Sequence, residues 1–115
     1  MRRGRLRSWS SRIRSGKAMG FVGLWSRWDG DGKKPLITCC VITVPSNELL
    51  KPFHDRMPAI LNPADYGKWF DLDAEVAELE SLLNPYPAEL MEESEANAKV
   101  NSPRNERPEL LNPAA

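Results

Sequence analysis

The residues best equipped for chemistry stand together at His54-Asp55-Arg56-Met57-Pro58. A histidine titrates near neutral pH and can pass protons. An arginine two places on can hold a phosphate with a planar, always-charged fork. Thr43, eleven residues upstream, could offer a hydroxyl to the same place. Taken on residue types alone, the plainer reading is favoured. It is a surface His, an Arg that ties down a helix end and a strand-ending Thr, because one His without an identified partner is not a catalytic unit.

Two further groups invite a chemical reading. Cys39 and Cys40 are candidate nucleophiles, but neither has a basic sequence neighbour or a helix start beside it to lower its pKa. Within a buried strand they read as core residues. Trp25, Arg27 and Trp28 would make a stacking platform for unpaired bases beside a cation. They would equally make an amphipathic strand, and the core reading is favoured for at least one of the tryptophans. The carboxylates between Asp73 and Glu80 read as a solvated helix face.

The elements that must position these groups are short. GFVGLWSRW, residues 20 to 28, is rich in strand formers. Asp29-Gly30-Asp31-Gly32 predicts a hairpin turn with two glycines for positive φ. LITCCVITV, residues 36 to 44, is a continuous apolar run that predicts a strand buried on both faces. Pro45 ends it, and Ser46 is placed to cap a short helix with Glu48 in its first turn, stopped by Pro52. Residues 54 to 56 read as a turn and 57 to 61 as a strand. Asn62-Pro63 predicts a capped helix start, with Tyr66, Trp69 and Phe70 on one side of the helix. DAEVAELESLL, residues 73 to 83, predicts a helix with Val76, Leu79, Leu82 and Leu83 inward. A last strand is expected around Ala98 to Val100, after a Glu-rich stretch.

With 115 residues the chain has room for one small domain, and 41% hydrophobic with 28% charged residues is ordinary for a globular chain. No run of about 18 apolar residues is present to span a membrane as a helix. The net charge of zero hides an asymmetry. Residues 1 to 19 carry Arg2, Arg3, Arg5, Arg7, Arg12, Arg14 and Lys17 and no acid, so the remainder is acidic. A basic arm on an acidic body is a prior for contact with polyanions. The segment is Arg-rich like a transit peptide but lacks the apolar stretch of a secretory signal. Adjacent cysteines point to opposite faces of a strand and do not pair readily, which fits a reducing, cytosolic-type compartment. With no CxxC and no second Cys/His cluster, neither a metal nor a cofactor is expected.

In order, GFVGLWSRW, a Gly-rich turn, TCCVITVPSNELLKPFHDRMPAIL, YGKWFD, LLNPYPAELM and VNSPRNERPELLNP resemble the consecutive C-terminal motifs of the SOS response-associated peptidase (SRAP) family, which processes abasic sites. The resemblance runs from about residue 19 to the end. Residues 1 to 18 read as a basic, flexible arm outside the family pattern, and residues 19 to 115 as a partial SRAP domain. The resemblance implies an α+β fold, the C-terminal part of a curved, mostly antiparallel, barrel-like sheet with short flanking helices. It implies binding to single-stranded DNA and crosslinking to abasic sites in the bacterial cytosol or nucleoid. In the family an N-terminal cysteine supplies an α-amine and a thiol that close a thiazolidine on the sugar aldehyde; the same cysteine is tied to self-processing of a leader. His54 matches the catalytic His, Arg56 a DNA-backbone-contacting Arg, and Thr43 a strand-end Thr beside the site.

Position 2 is Arg, and Cys39 and Cys40 are internal, so neither supplies a free α-amine. The segments that carry the family's active-site Asn and Glu have no counterpart in the pattern. The expectation is a chain inactive in crosslinking. Two other roles stay open: a non-catalytic single-stranded-DNA-binding module, or a remnant whose partner is a polypeptide that completes its sheet. Salt-dependent DNA binding separates these two.

Overall fold

A computed structural model describes residues 9–32 and 34–111. The described residues divide into two compact units, one formed by those of 9–17 with 89–111 and the other by those of Ala18–Ala88. In chain order the strands are β1 (Trp9–Ile13), β2 (Gly20–Phe21), β3 (Gly23–Trp28), β4 (Leu36–Val41), β5 (Thr43–Pro45), β6 (Arg56–Pro58), β7 (Ile60–Leu61) and β8 (Met91–Glu95). Two short helices, α1 (Tyr66–Trp69) and α2 (Val76–Glu80), and four 3-10 turns complete the described elements. Every strand pairing is antiparallel. The strands form four two-stranded ladders, so among the described residues the barrel-like sheet expected from the sequence is not closed.

In the Ala18–Ala88 unit three extended segments meet at a corner. Residues 20–28 pair first with 60–61 and then with 36–41, while residues 43–45 pair with 56–58. Each segment changes partner at one residue: Val22, Ile42 or Ala59. The Val22 N–H donates to the Ala59 carbonyl (2.8 Å), Ala59 to Ile42 (2.9 Å) and Ile42 to Val22 (2.9 Å). A closed ring of three bonds thus satisfies the backbone groups at the switch, as a buried corner requires. Val22 and Ala59 are fully buried, and Val44, Met57, Ile60, Leu61 and Tyr86 are buried too. Gly23 follows the corner because nothing larger fits: a Cβ there would lie 2.8 Å from the Cys40 carbonyl oxygen.

The apolar run 36–44 is therefore not one strand buried on both faces. It breaks at Ile42, and Leu36 through Val41 are exposed throughout, Cys39 and Cys40 included. Only Val44 is buried. The residues that enclose the corner bury the end of the run, while no described element covers the β3–β4 ribbon. The hairpin turn is as expected, with Gly30 and Gly32 at φ 56° and 85°. Ser46 does not start a helix. Residues 48–53 form successive turns, and Asn47 supplies the cap, its Oδ1 accepting from the Leu50 N–H at 3.0 Å. The Asn62 side chain caps Ala64 as expected (3.1 Å), with Pro63 opening a 3-10 turn that runs into α1. α2 is shorter than the predicted 73–83 helix, and Val76 is exposed.

The other unit departs further from the sequence reading. Residues 9–13, expected to belong to a flexible arm, form β1 and pair with β8 from Trp9↔Glu95 to Ile13↔Met91. The expected strand at 98–100 is a 3-10 turn, and the strand lies in the Glu-rich stretch instead. Buried Ile13 faces buried Met91 at one end of the ladder, and charges compensate across the rest of it. Arg12 pairs with Glu92, Arg14 Nη1 lies 3.9 Å from the same carboxylate, and the Ser11 hydroxyl donates to Glu93 Oε1 at 2.5 Å. Such exposed ion pairs stabilise by only about 0–1 kcal/mol each, but they set which strands tolerate one another. Residues 1–8 of the expected arm lie outside the described residues.

Candidate functional site

Thr43 and Arg56, two of the residues singled out from the sequence, lie on the short β5–β6 ladder of the Ala18–Ala88 unit. Thr43 lies opposite Pro58 and Pro45 opposite Arg56. The Ser46 N–H continues the ladder by donating to the Asp55 carbonyl at 3.0 Å. The Arg56 side chain turns back along the ladder: Nε donates to Thr43 Oγ1 at 3.1 Å and Nη2 to the Thr43 carbonyl at 2.7 Å. Two bonds to one residue fix the guanidinium plane, and the arginine remains exposed. No carboxylate among the described residues forms an ion pair with it. The result is a pre-oriented, uncompensated cation whose remaining N–H groups are available to an anion.

His54 stands two residues before Arg56, exposed, where the turn meets the strand. Its backbone N–H donates to the Leu50 carbonyl at 3.0 Å, and its imidazole has no side-chain hydrogen bond or ion pair among the described residues. Thr43 and Arg56 are brought into direct contact, and His54 joins them by its place in the chain.

The sequence reading missed the residue that holds this turn. Asn47 is buried. Its Nδ2 donates to the Tyr86 carbonyl at 2.7 Å, its Oδ1 caps Leu50, and its own N–H meets Met57 Sδ at 3.4 Å. The signal was an Asn one residue after the proposed Ser cap. The serine takes no capping part; its Oγ is buried without a partner among the described residues. Replacing Asn47 with Ala removes the partner of the buried Tyr86 acceptor and of the part-buried Leu50 donor. Asn47→Ala should lower stability by about 1–3 kcal/mol, read as a lower urea midpoint at unchanged slope. A loss under about 0.5 kcal/mol, the range of ordinary surface changes, would show that the turn does not depend on it.

The other candidates separate. Trp25 and Trp28 are 72% and 64% exposed, so neither is the core tryptophan that was expected. They also face opposite sides of the ribbon, being an odd number of residues apart, so they form no joint platform. The acidic face from Asp73 to Glu80 is largely solvated, as expected. An apolar cleft of about 360 Å³ lies between β2 and α1, lined by Met19, Phe21, Leu61, Tyr66, Trp69 and Phe70. Gly20 makes room there: a Cβ would sit 2.6 Å from Tyr66 Oη. No cluster of His, Cys, Asp and Glu able to hold a metal is present among the described residues, and no described helix is long and apolar enough to cross a membrane.

The fold and site define a small α+β protein of antiparallel ladders with a His–Arg box at the mouth of a turn. Its sequence matches the model of the SOS response associated peptidase (SRAP) family over residues 2–103, and the chain belongs to that family. The match begins at residue 2 and so takes in most of the basic segment that the motif pattern had left outside. The chain is 39% identical over 101 residues to the abasic site processing protein YoqW of Bacillus subtilis (strain 168), covering 87% of this chain and 45% of that one. It is 36% identical over 94 residues to the mouse abasic site processing protein HMCES, covering 81% and 26%. All of it superposes on 51% of a protein from Bacteroides thetaiotaomicron, with a TM-score of 0.85 at 24% identity. The chain thus spans less than half the length of the curated relatives it matches.

Proposed function

We propose that this chain supplies the DNA-contacting rim of an abasic-site-processing SRAP domain in the cytosol, with single-stranded DNA as its partner. The observation that carries this reading is the Arg56 guanidinium, held by Thr43 and without an ion-paired carboxylate among the described residues. In this reading Arg56 takes a backbone phosphate, Thr43 sets its direction, and His54 is positioned for proton transfer. The groups that close the thiazolidine come from a sheet-completing polypeptide. Without it the chain binds single-stranded DNA weakly and does not crosslink. His54 is then a retained proton-transfer residue without a reacting group in reach, since a general acid or base needs one at hydrogen-bond distance.

Binding strength should follow cation number. For single strands the salt slope falls by about 0.7 per phosphate contact. Removing Arg2, Arg3, Arg5 and Arg7 together should flatten it by roughly three, and Arg56→Ala by roughly 0.7. Substitution of these four residues is a better test than deletion of residues 1–18, because deletion also removes β1 from its ladder with β8. Arg12 and Arg14 are left in place since both engage Glu92. Fluorescence anisotropy with a labelled oligonucleotide across a salt series reads both slopes. The ranking fails if the four-Arg variant binds normally while Arg56→Ala abolishes binding. The reading as a whole fails if the intact chain shows no salt-dependent binding.

A further inference from the structure

The β3–β4 ribbon is apolar on both faces and exposed on both. Residues directly opposite in an antiparallel ladder share a face, so the register sorts them. One face carries Leu24, Trp28 and Leu36 with Cys40, the other Trp25, Ile37 and Val41 with Cys39. All six of these large side chains are between 53% and 72% exposed. Arg27 is the sole charged side chain in the two strands, and it is paired with Asp29 at 2.9 Å. A two-stranded ribbon is marginal by itself in water, and apolar area of this extent marks an interaction surface. A cover on one side would leave an equal apolar face wet.

What fits both sides follows from length. The whole of this chain superposes on 51% of the Bacteroides chain, so the remainder of that chain has no counterpart in these 115 residues. We infer that the ribbon is the docking surface for the other part of a SRAP chain, the part of the Bacillus subtilis relative that this chain does not match, which packs on both faces and turns the ribbon into a middle layer. This rests on the reading that the chain works with a sheet-completing polypeptide, and it names where and how that polypeptide binds. With almost no charge on the ribbon, recognition is by apolar shape, and the partner must present apolar strand or helix faces to both sides.

The two cysteines report on the two faces separately. Cys39 and Cys40 are both free and exposed, and the register puts them on opposite sides. Cys39→Ser and Cys40→Ser therefore each leave one thiol on one face. The chain is co-expressed with the portion of the Bacillus subtilis relative that it does not match, and alkylation by iodoacetamide is followed by mass spectrometry. The expected result is a one-to-one complex in which each thiol reacts roughly tenfold or more slowly than in the chain alone, because access now requires opening. Ile37→Glu should abolish the complex, yet leave the free chain's thermal midpoint nearly unchanged, since Ile37 is 65% exposed there. The proposal is overturned if no complex forms, or if one thiol stays fully reactive within it. It is also overturned if the chain alone is a dimer with both thiols protected, since a second copy would then be the cover. A complex that protects both thiols but ignores abasic DNA leaves this inference standing and removes the functional reading instead.

Discussion

Incubated with single-stranded DNA that carries an abasic site, the 115-residue chain is expected to give no adduct that survives heating in denaturant. A thiazolidine needs an amine and a thiol on one residue. The amine condenses with the sugar aldehyde and releases water, and the thiol then adds across the resulting C=N bond to close the ring. Cys39 and Cys40 have thiols but no amines, since both nitrogens are in peptide bonds within β4. A thiol alone adds to the aldehyde reversibly, and a lysine alone forms an imine that water takes apart. Exposure of both thiols therefore does not rescue the chemistry. The His54→Ala variant should give the same blank gel, and denaturing electrophoresis of a labelled oligonucleotide reads both. A heat-stable adduct that forms with the intact chain and is lost with His54→Ala would show that these residues suffice.

The second large effect expected is on stability, from Met57→Ala. Met57 is 2% exposed, pairs across the ladder with buried Val44, and its sulfur accepts the Asn47 N–H. It joins the strand that carries Arg56 to the residue that holds the His54 turn. Truncating a buried methionine to Ala costs about 2–5 kcal/mol from lost burial and the cavity left behind. Small domains have about 5–15 kcal/mol in all, so the variant should lose a large share of its folded population on mild warming. Met57→Leu, which nearly conserves volume, should cost less than about 1.5 kcal/mol. Leu72→Ala, at a residue 99% exposed, should stay within about 0.5 kcal/mol. Urea denaturation followed by circular dichroism ranks the three. If Met57→Ala and Leu72→Ala are alike, Met57 is not core and the β5–β6 ladder is held by something else.

Local signals in the sequence read well and long-range ones did not. The Asn62-Pro63 cap and the Gly30 and Gly32 turn depend on a few adjacent residues, and each lies where the sequence placed it. The Leu36–Val44 run was misread because apolar composition reports a need for burial, not the presence of a cover, and for Leu36 through Val41 no described element supplies one. β1 was missed because Trp9–Ile13 has no strand pattern of its own. Its partner lies about eighty residues on, where Arg12 and Ser11 face Glu92 and Glu93 and buried Ile13 faces buried Met91. The Ser46 cap failed for a narrower reason: two adjacent residues both suit the role, and only the buried Tyr86 carbonyl decides for Asn47.

The ring of bonds through Val22, Ile42 and Ala59 has a consequence for how the Ala18–Ala88 unit can assemble. Of the three pairings that meet there, the β3–β4 hairpin joins neighbours in sequence, and the β5–β6 ladder closes a short loop. The β2–β7 ladder joins Gly20 to Leu61 and is the most distant of the three. Closing a loop costs entropy that grows with the logarithm of its length, so the distant pairing is costly if it forms first. The corner removes most of that cost. Once the first two ladders exist, residues 20–28 are fixed to 36–41 and residues 56–58 to 43–45. The corner then already holds Gly20 and Leu61 near each other, and the third ladder closes almost without further loss of chain freedom. Loop-closure entropy at the corner thereby favours an order of assembly with the hairpin first and the longest-range pairing last.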